Sequence, residues 1–457
     1  MGLYKTFAHK VAWPVGEKLA GLPVRKRLEF LLETERWPRE KLEAYRNERF
    51  RAVVNHAAET VPFYRKLWAD HGVTVGQIQN VADAPKLPPV SKDMLRAAGG
   101  EVLSRAFSRE EVIRKTSSGS TGEPFRYYLS KREKAIFWAN LIRNWGWAGY
   151  ELGDKITLCT IGSLKSVLRH PAVAWIELGV LRQQFVGIQD LGRDVLGEKL
   201  ERIRKFGPKV MRGYASSLYH LAKGALETGP RFSVPSVVST SETLTGHMRE
   251  TIVSAFDTTV YDQYGAEGMI ISSECDAQAG MHVNEECVFL EIVDDKTHQP
   301  ADRGEVVLTN LEGYAYPFIR YRVMDVAAKG ETAACPCGRT LARLGPFEGR
   351  VVDFFPLANG RFLTVPPFCD AFGKVGEVIT WQIRHVRPDH IRILVHCRGA
   401  VLPDETRAYM ERETRKYTGE GITFDVDVVD RIPPTSAGKR RYFVSELDDD
   451  TYGYEKK

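Results

Sequence analysis

The chain has 457 residues, 43% apolar and 27% charged, and its 64 basic and 59 acidic side chains leave a net charge of 64 − 59 = +5. That length exceeds one ordinary core and predicts two or three domains, and the composition excludes a disordered or fibrous chain. So small a positive excess argues against a dedicated nucleic-acid binder, while anionic small ligands stay open.

At the start, Phe7-Ala8-His9-Lys10-Val11-Ala12-Trp13-Pro14 is broken by charge and proline. No apolar segment with a cleavage site follows, and no run reaches the length of a membrane span, so stable membrane insertion is not expected. Seven cysteines, an odd number spread over a long chain, do not form a secreted disulfide framework and point to a reducing cytoplasm. Helical periodicity then runs from about Val24 to His71, with one amphipathic run at Arg25–Leu32, another from Glu40 to Glu59, and a third opened by Pro62. Pro85, Pro88 and Pro89 mark a linker, after which Ser91 is placed to cap a helix.

Two short strands, Val112–Lys115 and Phe125–Leu129, flank Thr116-Ser117-Ser118-Gly119-Ser120-Thr121-Gly122-Glu123-Pro124. Glycine lets backbone approach a ligand closely, and hydroxyls with free N–H groups are donors that wrap phosphate oxygens. No Gly-Lys-Ser/Thr ends the loop, so it is not the usual nucleotide P-loop, and taken alone it also reads as a flexible hairpin turn. Residues 131–147 are helical and rich in aromatics, more a core or pocket wall than a catalytic group. Ile156–Gly162, Lys209–Met211, Ser236–Ser239 and Thr258–Tyr261 read as strands alternating with helices, an α/β region with parallel pairing. After about Val283, the runs Cys287–Val293, Gly304–Leu308 and Phe318–Arg322 predict a curled antiparallel sheet. The last hundred residues predict a small α+β domain: strands at Val378–Arg384, His390–His396 and Ile422–Val429, and a helix at Thr406–Tyr417. The expected division is 1–350, a large domain of parallel α/β sheets plus an antiparallel region, and 351–457, a small mobile α+β domain.

Four stretches in order resemble one family: Thr116–Pro124; Tyr261-Asp262-Gln263-Tyr264-Gly265-Ala266-Glu267; Tyr321-Arg322-Val323-Met324-Asp325 with Gly349-Arg350; and Pro433-Pro434-Thr435-Ser436-Ala437-Gly438-Lys439. The set is similar to the acyl-adenylate-forming superfamily, and within it to the phenylacetate–CoA ligase branch with its coenzyme F390 synthetase and CapK relatives. Val61–Tyr64 and Leu87–Lys92 resemble the same branch, so the likeness spans nearly the whole chain.

The resemblance implies ATP-dependent activation of a carboxylic acid to an acyl-adenylate, then transfer to a thiol, most readily that of CoA. Charge builds on phosphate oxygens in the first step, so donors and cations aimed at them are the main need. It implies that Ser117, Ser118, Gly119, Ser120, Thr121 and Gly122 hold the β- and γ-phosphates. Glu123 stands where many members carry lysine and is expected to point away, with Lys115 adding positive charge nearby. Ser241, Glu242 and Thr243 border the adenine, or else cap the following helix, a task Thr245 also suits. Tyr264 lies along the adenine, or in the core. Asp325 accepts the ribose hydroxyls, a carboxylate suiting a diol because it takes two hydrogen bonds. Arg350 sits on the ribose or phosphate side, and Asp353 is the hinge. Lys439 bridges the α-phosphate and the attacking carboxylate. Glu267 comes one residue earlier than the family's Tyr-Gly-x-Ser/Thr-Glu places its Mg²⁺-side acid. Either the loop is shorter or the ligand comes from elsewhere, and Glu267 is the favoured carboxylate.

Independently of ATP, Cys275, His282, Cys335 and Cys337 supply three thiolates and an imidazole, a full tetrahedral set for a structural Zn²⁺ with no position left for water. Free buried cysteines or a redox pair are the alternatives. Cys159, Cys287, Cys369 and Cys397 read as packing residues. The acyl pocket is expected between helix 131–147, Tyr214–Ser217 and the loop before Tyr264. Its aromatic walls suit an aryl or other apolar acid, with no cation clearly placed for a second carboxylate. The partners implied are a small carboxylic acid and CoA, in a monomer or homodimer. The rival readings are adenylation with delivery to a carrier protein or amine, and a zinc-stapled nucleotide binder without turnover.

Overall fold

The computed structural model describes residues 3–117, 125–160, 178–179, 181–187, 193–227, 229–350, 355–359, 362–363, 368, 371–373, 375–399, 401–433 and 441–447. They fall into two compact units, Met1–Ser241 with Ile252–Phe347, and Glu242–Thr251 with Glu348–Lys457. Among them, no helix is long and apolar enough to cross a membrane.

The first residues are helical, in a run the sequence reading left unassigned: α1 (Leu3–Phe7), a π turn (Ala8–Ala12) and α2 (Trp13–Ala20). Pro14 lies in the first turn of α2, where a missing N–H costs nothing. The predicted helical stretch resolves into α3 (Val24–Thr34), α4 (Arg39–Thr60) and α5 (Pro62–Asp70). Helix α6 (Lys92–Ala98) starts where Ser91 Oγ accepts from the Met94 N–H at 3.2 Å. Val90 then runs beside the chain at Tyr321, its N–H donating to Arg320 O and its carbonyl accepting from Arg322 N, both at 2.9 Å.

Strands β1 (Val112–Ser117) and β2 (Phe125–Ser130) form the expected antiparallel hairpin. Helix α7 (Lys131–Trp147) follows through a capping box, in which Glu133 N–H donates to Ser130 Oγ at 3.2 Å and Ser130 N–H donates to Glu133 Oε2 at 2.7 Å. Its Trp145 and Trp147 are buried, so the aromatic stripe is largely core.

Eleven strands form one sheet: β3 (Ile156–Thr160), β4 (Gln183–Gly187), β5 (Val210–Tyr214), β6 (Ser236–Thr240), β7 (Thr259–Ala266), β8 (Met269–Glu274), β9 (Met281–Val283), β10 (Val288–Val293), β11 (Arg303–Asn310), β12 (Tyr321–Lys329) and β13 (Arg343–Arg350). The order is β10-β11-β12-β13-β9-β8-β7-β6-β5-β3-β4. From β4 to β7 all pairing is parallel, and the β7–β8 hairpin turns it antiparallel. The change of pattern expected near Val283 therefore begins earlier, at Met269, and extends the parallel sheet instead of starting another. The strand expected over Phe318–Arg322 begins only at Tyr321. Arg320 has φ +45° and its buried guanidinium pairs with Glu291 at 3.1 Å and donates to Leu87 O at 2.7 Å. Phe318 and Ile319 are core without being strand.

The second unit carries the sheet β16 (Thr423–Val428), β15 (His390–Cys397), β14 (Val378–Arg387), β17 (Phe443–Ser445), in that order, with α8 (Asp404–Thr418). These are the small α+β elements read from the sequence. Ile383, Ile391, Ile393 and Met410 are fully buried within it.

Candidate active site and metal centre

The β7–β8 connection has two residues, Glu267 and Gly268, with φ +45° and +78°. Positive φ at both positions is the type I′ geometry that matches strand twist, and it normally selects Asn-Gly. This explains why the acid comes one residue early: the turn is short. A Cβ on Gly265 would stand 2.7 Å from Met269 O, so that position admits only glycine.

Glu267 is held inward from this turn, its side chain only 6% exposed. Its Oε1 accepts from Lys92 Nζ at 2.9 Å and from the Tyr321 hydroxyl at 3.0 Å. Its Oε2 is buried with no hydrogen-bond partner among the described residues. A buried carboxylate oxygen left open is expensive unless a donor or cation completes it, so the residues fit a Mg²⁺-side role for Glu267. Burial, reinforced by the Glu267 charge, keeps the Tyr321 hydroxyl far above its ordinary pKa, hence a donor at any working pH. Lys92, which sequence reading used only as part of Leu87–Lys92, also lies 5.6 Å from the Phe125 ring centroid at the base of the hydroxyl-rich loop. The Val90 pairing beside Tyr321 is what brings Lys92 to Glu267.

Asp325, on β12, is 8% exposed, and so is not a surface acid. Its Oδ2 accepts from the Tyr264 hydroxyl at 2.6 Å, and the Tyr264 ring packs on Phe347 at 4.2 Å between centroids. The two residues that the resemblance assigns to adenine and ribose are thus joined. Met324, just before Asp325, has φ +68° where the family pattern carries glycine. A left-handed non-glycine residue costs about 1 kcal/mol, held here by the surrounding strands.

Ser241 follows β6 with φ +66° and is exposed, and Glu242 and Thr243 are half-buried. Thr245 Oγ1 accepts from Met248 N at 3.3 Å and so caps the helix Gly246–Phe256, relieving Ser241–Thr243 of that task. Ser117 and Arg350 end β1 and β13, and their side chains lie outside the described residues, as do Ser118, Gly119, Ser120, Thr121, Gly122, Glu123, Asp353, Cys369 and Lys439.

One cation was missed. Arg212, on β5, donates to Gln263 Oε1 at 3.1 and 3.2 Å and to Thr240 Oγ1 at 3.4 Å, and has no carboxylate partner among the described residues. Burial lowers its pKa to about 10. Strand pairing of Thr240 with Gln263 sets both acceptors at the carboxyl end of the parallel strands.

The metal candidates are brought together by the β8-β9-β13 order. Cys275 follows β8, His282 lies in β9 opposite Arg343 of β13, and Cys335 and Cys337 occupy the β12–β13 connection. All four ligand atoms lie within 4.8 Å of one another. Cys275 Sγ is 3.7 Å from Cys335 Sγ, and Cys337 Sγ is 3.3 Å from His282 Nε2. A tetrahedral zinc with ordinary bond lengths separates two sulfurs by about 3.8 Å and a sulfur from a nitrogen by about 3.5 Å. The donor set therefore fits Zn²⁺ by size as well as by type. His282 Nδ1–H donates to Leu341 O at 2.8 Å, leaving the Nε2 lone pair for the centre. Burial holds His282 neutral and raises the Cys275 thiol to about 12, an opposition that a cation would relieve. Around the centre, Arg339 lies over the Trp147 ring at 4.9 Å and pairs with Glu35 at 3.2 Å, while Trp147 Nε1–H donates to Glu35 at 2.9 Å. Cys159, Cys287 and Cys397 are buried and free.

No family model matches the chain. It is 31% identical over 412 residues to the phenylacetate–coenzyme A ligase of Thermus thermophilus, covering 86% of this chain and 87% of that one. The corresponding ligase of Escherichia coli is 28% identical over 384 residues, covering 79% and 80%. Protein CapK of Staphylococcus aureus is 21% identical over 405 residues, covering 88% of each. Among solved structures, 2-hydroxyisobutyryl-CoA ligase in the postadenylation state with an acyl-AMP superposes with a TM-score of 0.73 at 19% identity, covering 91% and 92%.

Proposed function

The chain belongs to the phenylacetate–CoA ligase branch of the acyl-adenylate-forming superfamily, and on that premise we propose that it is an AMP-forming acid–CoA ligase. In the first step a carboxylate attacks the α-phosphate of ATP, pyrophosphate leaves and an acyl-adenylate forms. In the second the CoA thiol attacks the acyl carbonyl and AMP leaves.

The observation that carries this reading is the joined pair Tyr264–Asp325, on β7 and β12 of one sheet, with Glu267, whose Oε2 is open among the described residues, just after β7. Asp325 supplies the carboxylate to meet a ribose diol, and its bond to Tyr264 fixes the ring against which the base would lie. Mg²⁺, when bound, supplies charge neutralisation on the phosphates. Glu267 is the side chain placed to help hold it, with Lys92 contributing a further positive charge. The roles of Ser117, Ser118, Gly119, Ser120, Thr121 and Gly122 in holding pyrophosphate, of Arg350 beside the ribose, and of Lys439 at the reacting oxygens rest on their match to the family pattern. So does the division at 350 into an ATP- and acid-binding domain and a smaller one bearing the lysine. We assign Cys275, His282, Cys335 and Cys337 to structural zinc: four protein donors close the tetrahedron, so no site remains for water or substrate.

For the acid, Phe137 and Trp138, the half-buried aromatics of α7, support an aryl or other apolar substrate. Arg212 favours a second reading, an acid with an additional polar or anionic group, since among the described residues this half-buried guanidinium has two neutral acceptors and the Trp145 ring but no carboxylate. Incubation with ATP, Mg²⁺, CoA and a panel of aryl, aliphatic, hydroxy and dicarboxylic acids tests both. AMP and a thioester should appear together in equal amounts. AMP without thioester would favour a carrier protein or amine as acceptor, and Arg212→Met should depress turnover only if the preferred acid carries the extra polar group.

A further inference from the structure

A face that the adenylating chemistry does not use lies on the first helical segment. Phe7, Val11, Val15 and Leu19 are 48%, 48%, 44% and 65% exposed, the longest run of bare apolar side chains among the described residues. Beside them Ala8, Ala12, Trp13 and Gly16 are buried, so the segment is anchored by Trp13 and three small residues and shows Phe7, Val11, Val15 and Leu19 to solvent. In a regular α-helix each four-residue step overshoots a full turn by about 40°, which would wind such a series around the axis. The π turn at Ala8–Ala12 takes more residues per turn and offsets that drift, keeping the four side chains in one stripe. Tyr4 is not part of it: its hydroxyl donates to Gly179 O at 2.6 Å and Arg182 covers its ring.

The stripe is bordered by positive charge. Lys10 and Lys18, on the same helical segment, are exposed and have no acidic partner among the described residues. The nearest acid in sequence, Glu17, is turned away to accept the Arg25 N–H. Large apolar side chains along one side of a helix with lysines at its margins match a phospholipid surface, where the chains enter the acyl boundary and ammonium groups meet phosphates. A second copy of the chain is a poorer fit. The bare stripe amounts to roughly 350 Å², whereas a stable dimer buries about 800 Å² on each partner, and like-charged rims would face one another across a two-fold axis. We infer that this segment is a peripheral docking surface for an anionic lipid bilayer, lying in the interface without crossing it.

Flotation of the full chain with vesicles tests this. Binding is expected to phosphatidylcholine–phosphatidylglycerol vesicles, weakened about tenfold or more by Val11→Glu with Leu19→Glu, and weakened by raised salt or by Lys10→Glu with Lys18→Glu. Because these positions are exposed and outside the nucleotide site, thermal unfolding and ATP–pyrophosphate exchange should be unchanged in the variants. Absence of binding to anionic vesicles would overturn the assignment. So would sedimentation showing a dimer that Val11→Glu with Leu19→Glu dissolves, which would make the stripe an interface between copies.

Discussion

Two regions built on neighbouring strands of the same sheet hold their polar groups in opposite ways. In the Cys/His cluster every donor faces another donor or a fixed carbonyl, and Arg339, Trp147 and Glu35 pack around it. At the β7–β8 turn, Glu267 keeps one oxygen without a partner among the described residues, and Glu267 there and Met324 on β12 sit in left-handed backbone. The first closes on its own residues, a set that one ion would complete; the second leaves an acceptor for something that arrives. A structural centre and a ligand site can thus share a sheet and be told apart by what is left unsatisfied.

The sharpest way to break this contrast is to remove the metal ligands. Cys335→Ser, or dialysis against a strong chelator, should lower stability by about 3 kcal/mol and the unfolding midpoint by roughly 5–10 °C, without raising the KM for ATP. Metal analysis should find one zinc per chain, and less than half an equivalent would count against the centre.

Helix α7 joins the two regions, and its cap titrates. Burial raises Glu133 from 4.5 to about 7. The folded state therefore holds this proton more tightly than the unfolded one, so the stabilisation is complete below pH 4.5 and is lost as pH rises through about 7. Glu133→Gln, which keeps the acceptor for Ser130 N–H, should flatten stability between pH 5 and 8, removing a slope worth on the order of 2 kcal/mol. Urea unfolding across that range would show it.

Glu267→Gln sharpens the other side. It retains an acceptor for Lys92 and Tyr321 but removes the negative charge and the second oxygen that a cation needs, so the Mg²⁺ concentration for half-maximal turnover should rise about tenfold. An unchanged requirement would mean that the magnesium carboxylate lies elsewhere. The smallest effect concerns strain: Met324→Gly should raise stability by about 0.5–1 kcal/mol, read as a higher denaturation midpoint.

What the sequence made legible follows the same division. The four zinc candidates announce themselves by residue type, and β pairing needed only to bring them together. Asp325 and the C-terminal α+β elements were likewise readable from motif and periodicity. Glu267 was ambiguous because a two-residue turn is a matter of backbone dihedrals, and Glu is not a residue that signals φ above zero. Lys92 and Arg212 gave no signal, since each acquires meaning only from partners far along the chain. The first helix was obscured because Pro14 reads as a break inside a run but is harmless at a first turn.

The central claim, that the open turn serves an adenylating centre, is tested most directly by ATP–pyrophosphate exchange in the full chain and in Lys439→Ala. Exchange should depend on added acid and fall by about 10²–10³-fold in the variant, while ATP binding to the turn persists. Exchange that needs no acid, or that survives loss of Lys439, would contradict it.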